Sequence, residues 1–98
     1  MLDLATVQCA EFEACLNQDF EIVTGAGPLV LQLFEARPLP AGAGTVRDPF
    51  TLTFRGPAEL RLPQGIYRMG NAQLGEMEIF IVQIAVDQTS STFEAVFN

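Results

Sequence analysis

The sequence predicts a mainly β protein, a small antiparallel β-barrel or sandwich of about six strands with one short N-terminal helix. Three observations carry that prediction. Beyond residue 19 the apolar side chains recur with period two. Glycine and proline interrupt the pattern at intervals of about 10–15 residues. None of the connections can supply the helix that a parallel crossover requires. A chain of 98 residues reads as one domain, 1–98, with the helix at about 6–16 and the β unit at about 19–98.

The helix is read from Thr6 to Leu16, which contains no glycine or proline. Thr6 can cap its first backbone donors, acids lie in its first half, and Asn17 can adopt the left-handed conformation that ends it. Phe20 to Val23 is a short strand and Gly25-Ala26-Gly27-Pro28 a turn. Leu29, Leu31 and Leu33 then share one strand face, and Pro38 and Pro40 stop that strand. Ala41 to Gly44 opens a flexible connection. Phe50, Leu52 and Phe54 form the cleanest alternation in the chain.

After Gly56-Pro57, Leu60 and Leu62 alternate with Arg61 up to Pro63, and Gly65 to Met69 is a further strand. Glu76 to Val86 is the longest strand, and its second half is apolar on both faces. That half is expected to lie centrally or to pack one face beneath the N-terminal helix, and the strand from Met77 to Val86 is expected to be paired on both sides or closed into a barrel. Asp87 to Ser91 is a polar turn, and Phe93, Ala95 and Phe97 face inward from the last strand.

Composition excludes much chemistry. There is no histidine, lysine or tryptophan, and all five bases are arginines, at 37, 47, 55, 61 and 68. Without histidine the common general base and the Ser-His-Asp and Cys-His triads are missing. Without lysine no Schiff base can form. The sequence therefore assigns no catalytic residue, no cofactor and no metal ligand. Glu76 and Glu78 fall on one strand face about 7 Å apart, within the rough range of an inverting glycosidase pair. A chain this small has little material for the cleft such a pair needs, and a solvated strand end explains the pair better. Asp48, Glu59, Asp87 and Glu94 are too scattered for a calcium loop.

Cys9 and Cys15, six apart on a helix, are separated by about 9 Å of rise. A disulfide needs Cα atoms within about 7 Å, so two reduced thiols are expected. The net charge of -7 argues against nucleic acid. The longest apolar run, Met77 to Val86, is far short of a membrane helix. Met1 to Leu16 lacks the pattern of a signal peptide, so a cytoplasmic location is expected, with export inside a larger assembly left open.

The most distinctive stretch runs from Gly56 to Arg68, where two prolines and two glycines set an irregular path. Arg55, Arg61, Pro63, Gln64, Gly65, Tyr67 and Arg68 are the candidate interface residues. Tyr67 and Gln64 can anchor a partner surface. The competing reading makes Pro63-Gln64-Gly65 a tight turn, Tyr67 a half-buried barrel residue, and the arginines partners of carboxylates.

Several segments together resemble a family of small, functionally uncharacterised bacterial β domains encoded near phage-tail-collar-like proteins. They are Phe12 and Phe20 around the helix end, Phe50 to Pro57, Leu62 to Tyr67, Leu74 to Val82, and Phe93 to Asn98. Asn17 stands where that family tends to have glycine, and both residues tolerate a left-handed helix end. The resemblance covers nearly the whole chain and implies a fold rather than an activity. It implies no catalytic or binding residues.

The functional expectation is a non-enzymatic structural or accessory protein that works by contacting another protein. By the resemblance alone, that partner is a tail-collar-like neighbour. The alternative is a small-ligand or carbohydrate-binding barrel with Tyr67 and the arginines at its rim. Neither reading requires a cofactor, a nucleic acid or a membrane, and the oligomeric state is open.

Overall fold

A computed structural model of the chain describes residues 1–25, 27–40 and 48–97. Ala26, the connection from Ala41 to Gly44, Arg47 and Asn98 lie outside the described residues. Among the described residues six antiparallel strands follow one short helix: α1 (Cys9–Glu13), β1 (Asp19–Thr24), β2 (Gly27–Pro38), β3 (Phe50–Gly56), β4 (Gly65–Asn71), β5 (Gly75–Val86) and β6 (Ser91–Phe97). They close a barrel in the order β1-β2-β3-β6-β5-β4. The barrel, and not the sandwich, is the architecture.

Register explains why these strands close. Inward residues meet inward residues across the seams: Phe20 opposite Leu31, Leu33 opposite Phe54, Phe54 opposite Phe93, and Met69 opposite Met77. All of these side chains are buried. A slip of one residue would turn each apolar set to solvent, so the pattern pins the pairing. Two bulges adjust it. One, between Leu33 and Glu35, makes Ala36 rather than Glu35 the partner of Leu52. The other, between Gln83 and Ala85, leaves Gln83 opposite the inward Phe93.

One end of the barrel is plugged by residues 1–18. α1 is five residues long, shorter than the expected 6–16. Its cap is Gln8, not Thr6: the Gln8 backbone N–H donates to the Glu11 carboxylate at 2.7 Å. Thr6 belongs instead to a turn closed on Asp3, whose carbonyl accepts from the Thr6 backbone N–H at 3.3 Å. Phe12 is the buried residue of the helix, and its ring lies 5.7–6.5 Å from those of Phe20, Phe50 and Phe97. The chain then turns through Asn17, whose φ of 68° is the left-handed conformation expected there. Packing on the barrel mouth, rather than helix propensity, sets the extent of this element.

Two further expectations change. α1 packs against β2 and β3, and β5 does not lie beneath it. β5 pairs with β4 along Gly75–Ile81 and with β6 along Val82–Val86, and is closed into the barrel as expected. Its inner face, Met77, Ile79 and Ile81, is buried, whereas Phe80 and Ile84 are exposed. The apolar outer face of β5 is therefore a surface and not a second core face.

Candidate functional site

The opposite end of the barrel is crossed by residues 57–64, which form no strand although Leu60 and Leu62 alternate with Arg61. Gln83 holds this crossing from below. Its Oε1 accepts from the Leu62 backbone N–H at 3.0 Å, and its Nε2 donates to the Leu60 carbonyl at 2.9 Å. Ser91, fully buried, donates its hydroxyl to the Pro57 carbonyl at 2.8 Å. A Cβ on Gly56 would sit 2.7 Å from a Leu31 methyl, so a larger residue at the start of the crossing would have to push that buried side chain aside. Leu60 and Leu62 drop onto the core beneath.

The candidate interface residues cluster on and beside this crossing without forming one surface of charge. Pro63, Gln64, Arg55, Arg61 and Arg68 are exposed, while Gly65 and Tyr67 are half-buried. Tyr67 points inward from β4, and its hydroxyl donates to the Pro63 carbonyl at 2.7 Å. The three arginines are held in three different ways. Arg68 pairs with Glu76 at 2.8 Å. Arg61 donates to the Ala58 and Leu60 carbonyls at 2.7 and 3.0 Å. Arg55 lies over the Phe34 ring, 4.0 Å from its centre. Carboxylate pairing, expected for all three, is thus found for Arg68 alone among the described residues.

Beside Arg68 lies a feature that sequence reasoning missed. The outer faces of β4 and β5 carry Ile66 and Phe80 directly opposite each other, 69% and 51% exposed. Val23 on β1 and Val30 on β2 are exposed as well. The signal for it was present in the two-faced apolar pattern of β5, which reads equally well as a strand buried on both sides.

Near the helix end an open cleft of about 540 Å³ is lined by Asn17, Gln18, Asp19, Asn71, Ala72 and Gln73. Its amides are occupied with one another. Asn71 Nδ2 donates to Gln18 Oε1 and the Asp19 carbonyl, each at 3.1 Å. Its Oδ1 accepts the backbone N–H groups of Gln73 and Leu74 at 2.9 Å, closing the β4–β5 turn. Gln18 Nε2 donates to Gln73 Oε1 at 3.3 Å. The cleft lies at the other end of the barrel from Tyr67 and the crossing.

Glu76 and Glu78 are both exposed on β5, and Glu76 is held by Arg68. Both cysteines are free thiols. Burial, a hydrogen bond to Glu13 and the charge of that carboxylate push the Cys9 thiol up to about 11. Burial raises Cys15 as well. Backbone N–H groups of Thr89 and Ser90 hold the Asp87 carboxylate below its ordinary range. Among the described residues no group of three or more Cys, Asp or Glu side chains is placed to hold a metal ion, and no helix is long and apolar enough to cross a membrane.

The family described as Domain of unknown function (DUF6916) matches residues 7–97. The chain belongs to this family. The match runs from the buried Val7 to Phe97, so the DUF6916 unit takes in both the helical plug and all six strands. No curated protein and no solved structure matches the chain. The fold and surface of this family member are therefore read from its own residues.

Proposed function

We propose that this protein is a non-enzymatic accessory domain that works by protein–protein contact through the outer face of β4 and β5. The observation that carries the reading is the exposed cross-strand pair Ile66 and Phe80, set beside the crossing that holds Arg61, Pro63 and Gln64. Water-exposed aliphatic and aromatic side chains that adjoin across strands mark contact surfaces more often than scattered single ones do. Aromatic and arginine side chains are also the types that dominate binding energy at interfaces. The barrel mounts them on β4 and β5, which pair with each other from Gly65–Ile81 to Asn71–Gly75.

A phage-tail-collar-like protein is the first partner to test, on the strength of the family resemblance alone. Co-purification with such a neighbour gene product is expected to yield a complex that Phe80→Asp weakens at least tenfold. An inert monomer that binds no neighbour product, or a complex indifferent to Phe80→Asp, would overturn the proposal.

The ligand-binding alternative has one geometric feature in its favour, the open cleft between Gln18 and Gln73. Its amides already satisfy each other, and it stands apart from Tyr67 and the arginines. Thermal-shift screening against sugars tests it, and a shift abolished by Gln73→Ala would move the assignment there.

A further inference from the structure

The outer surface of β4, β5 and β6 sets apolar and acidic side chains on one face. Met77, Ile79 and Ile81 are buried in the core, so Glu78, Phe80 and Val82 point outward. Phe93, Ala95 and Phe97 are buried in the same way, so Glu94 and Val96 share the outward side. Phe80 stands opposite Ile66, and Val82 stands opposite Glu94. Ile66, Phe80 and Val96 are each more than half exposed.

Phe80 thus has a carboxylate to either side. Glu78 lies two residues back on the same strand, about 7 Å away. Glu94 lies across the seam from Val82, the next outward position along β5. Arg68 is directly opposite Glu78, but its guanidinium is held by Glu76 at 2.8 Å. Among the described residues neither Glu78 nor Glu94 forms an ion pair. The face therefore keeps a surplus of negative charge, as does the whole chain at -7.

Ring and charge together select the occupant. A guanidinium is attracted to an aromatic face, and its planar fork of N–H groups suits carboxylates at the rim. The chain makes the ring contact once within itself, where Arg55 lies over Phe34 at 4.0 Å from the ring centre. Among the described residues no ring or guanidinium stacks on Phe80. A second copy would bring the same surplus of carboxylates to the face, whereas a basic partner would neutralise it.

We propose that the outer face of β4, β5 and β6 docks a partner protein through an arginine, whose guanidinium stacks on Phe80 between Glu78 and Glu94. This rests on the docking reading above and names the chemistry of the partner. Ile66 and Val82 give the arginine stem apolar surface to lie along. Apolar side chains beside that arginine complete the contact over Val96.

The test uses the full chain and a blocked pentapeptide, Gly-Val-Arg-Val-Gly, followed by NMR. Two further versions carry lysine or citrulline in place of arginine; citrulline keeps the shape and removes the charge. The arginine peptide is expected to shift the Phe80 ring signals and the amides of Glu78 to Val82 and of Glu94, saturably. The Phe34 ring, already covered by Arg55, should stay unmoved. Citrulline should weaken binding at least tenfold, and lysine should bind less tightly than arginine. Phe80→Leu, which keeps an apolar partner for Ile66, should weaken the arginine peptide at least tenfold, and Glu78→Gln with Glu94→Gln should do the same. The proposal is overturned if no saturable shift reaches Phe80, if citrulline or lysine binds as arginine does, or if Phe80→Leu binds as the parent chain does. A dimer of the free chain that Phe80→Leu dissolves also overturns it, because a second copy then takes the face. The docking reading fails separately, when a partner complex is indifferent to Phe80→Asp.

Discussion

Ile66 and Phe80 stand directly opposite each other on the outside of the barrel, each more than half exposed. A cross-strand pair of this type gains about 0.2–1 kcal/mol relative to two alanines. Exposed as they are, these side chains contribute little core energy. Ile66→Asp or Phe80→Asp is therefore expected to lower stability by about 1 kcal/mol or less, read as a shift of a few degrees in Tm. A collapse of the fold in either variant would show that the pair is structural rather than a free contact surface.

Phe12 carries the opposite expectation. Its ring is fully buried among Phe20, Phe50 and Phe97, at the mouth that α1 closes. Phe12→Ala leaves a cavity that those rings can fill only in part, at a cost of about 3–5 kcal/mol. Urea unfolding followed by far-UV circular dichroism measures this. A loss below about 1 kcal/mol would mean that the plug is dispensable to the barrel.

Asn71 couples the β4–β5 turn to the start of β1. Its oxygen accepts two turn N–H groups, and its amide nitrogen reaches Gln18 and Asp19. Asn71→Ala leaves part-buried partners without their hydrogen bonds and is expected to cost about 1–3 kcal/mol. Asn71→Asp keeps the acceptor for the turn and loses the donor to β1. It should therefore fall between the wild type and Asn71→Ala, with amide exchange faster at Asp19 than in the turn.

Gln83 reaches the crossing with both atoms of its amide, one accepting from Leu62 and one donating to Leu60. Gln83→Ala is expected to cost about 1 kcal/mol and to speed exchange of the Leu62 amide at least tenfold, with β3 and β6 unchanged. Uniform acceleration across the barrel would show that Gln83 supports the whole fold rather than the crossing.

Cys9 provides a dependence on pH. Its thiol is raised from 9.0 to about 11 by burial and by Glu13. The raised value means that the folded state favours the protonated thiol. Its contribution to stability is complete below the ordinary thiol value and is lost as pH climbs through about 11. Iodoacetamide labelling of Cys9, followed by peptide mapping, should stay slow from pH 7 to 9 and rise towards 11. Glu13→Gln should move that rise to lower pH. Labelling that climbs at the ordinary thiol value would refute the coupling.

Much of the barrel was legible before any coordinates. Period-two apolar runs placed all six strands, and Leu31, Leu33, Phe50, Leu52, Phe54, Phe93 and Ala95 face inward as their alternation predicts. Ends of elements were less legible. Gly27 and Pro28 extend β2 and Ser91 begins β6, because cross-strand partners Thr24 and Gly56 are there to pair with them. The helix came out short because its apolar residues answer to the barrel mouth and not to a continuous helical face. The candidate segment was recognisable by its prolines and glycines. Its neighbour on the outer face of β5 was not, since an apolar residue on a strand carries no mark of which side is covered.

The sequence by itself determined the β class, the inward faces of β2, β3 and β6 and the absence of histidine and lysine chemistry. These depend on local alternation and on composition. Tertiary structure alone decided that the sheet closes into a barrel, that α1 plugs one end and residues 57–64 the other, and that Phe80 looks outward beside Ile66. Those outcomes depend on which distant strands pair and where two bulges shift the register. Such pairings are settled by the joint packing of all the strands, and no stretch of the chain contains that information alone.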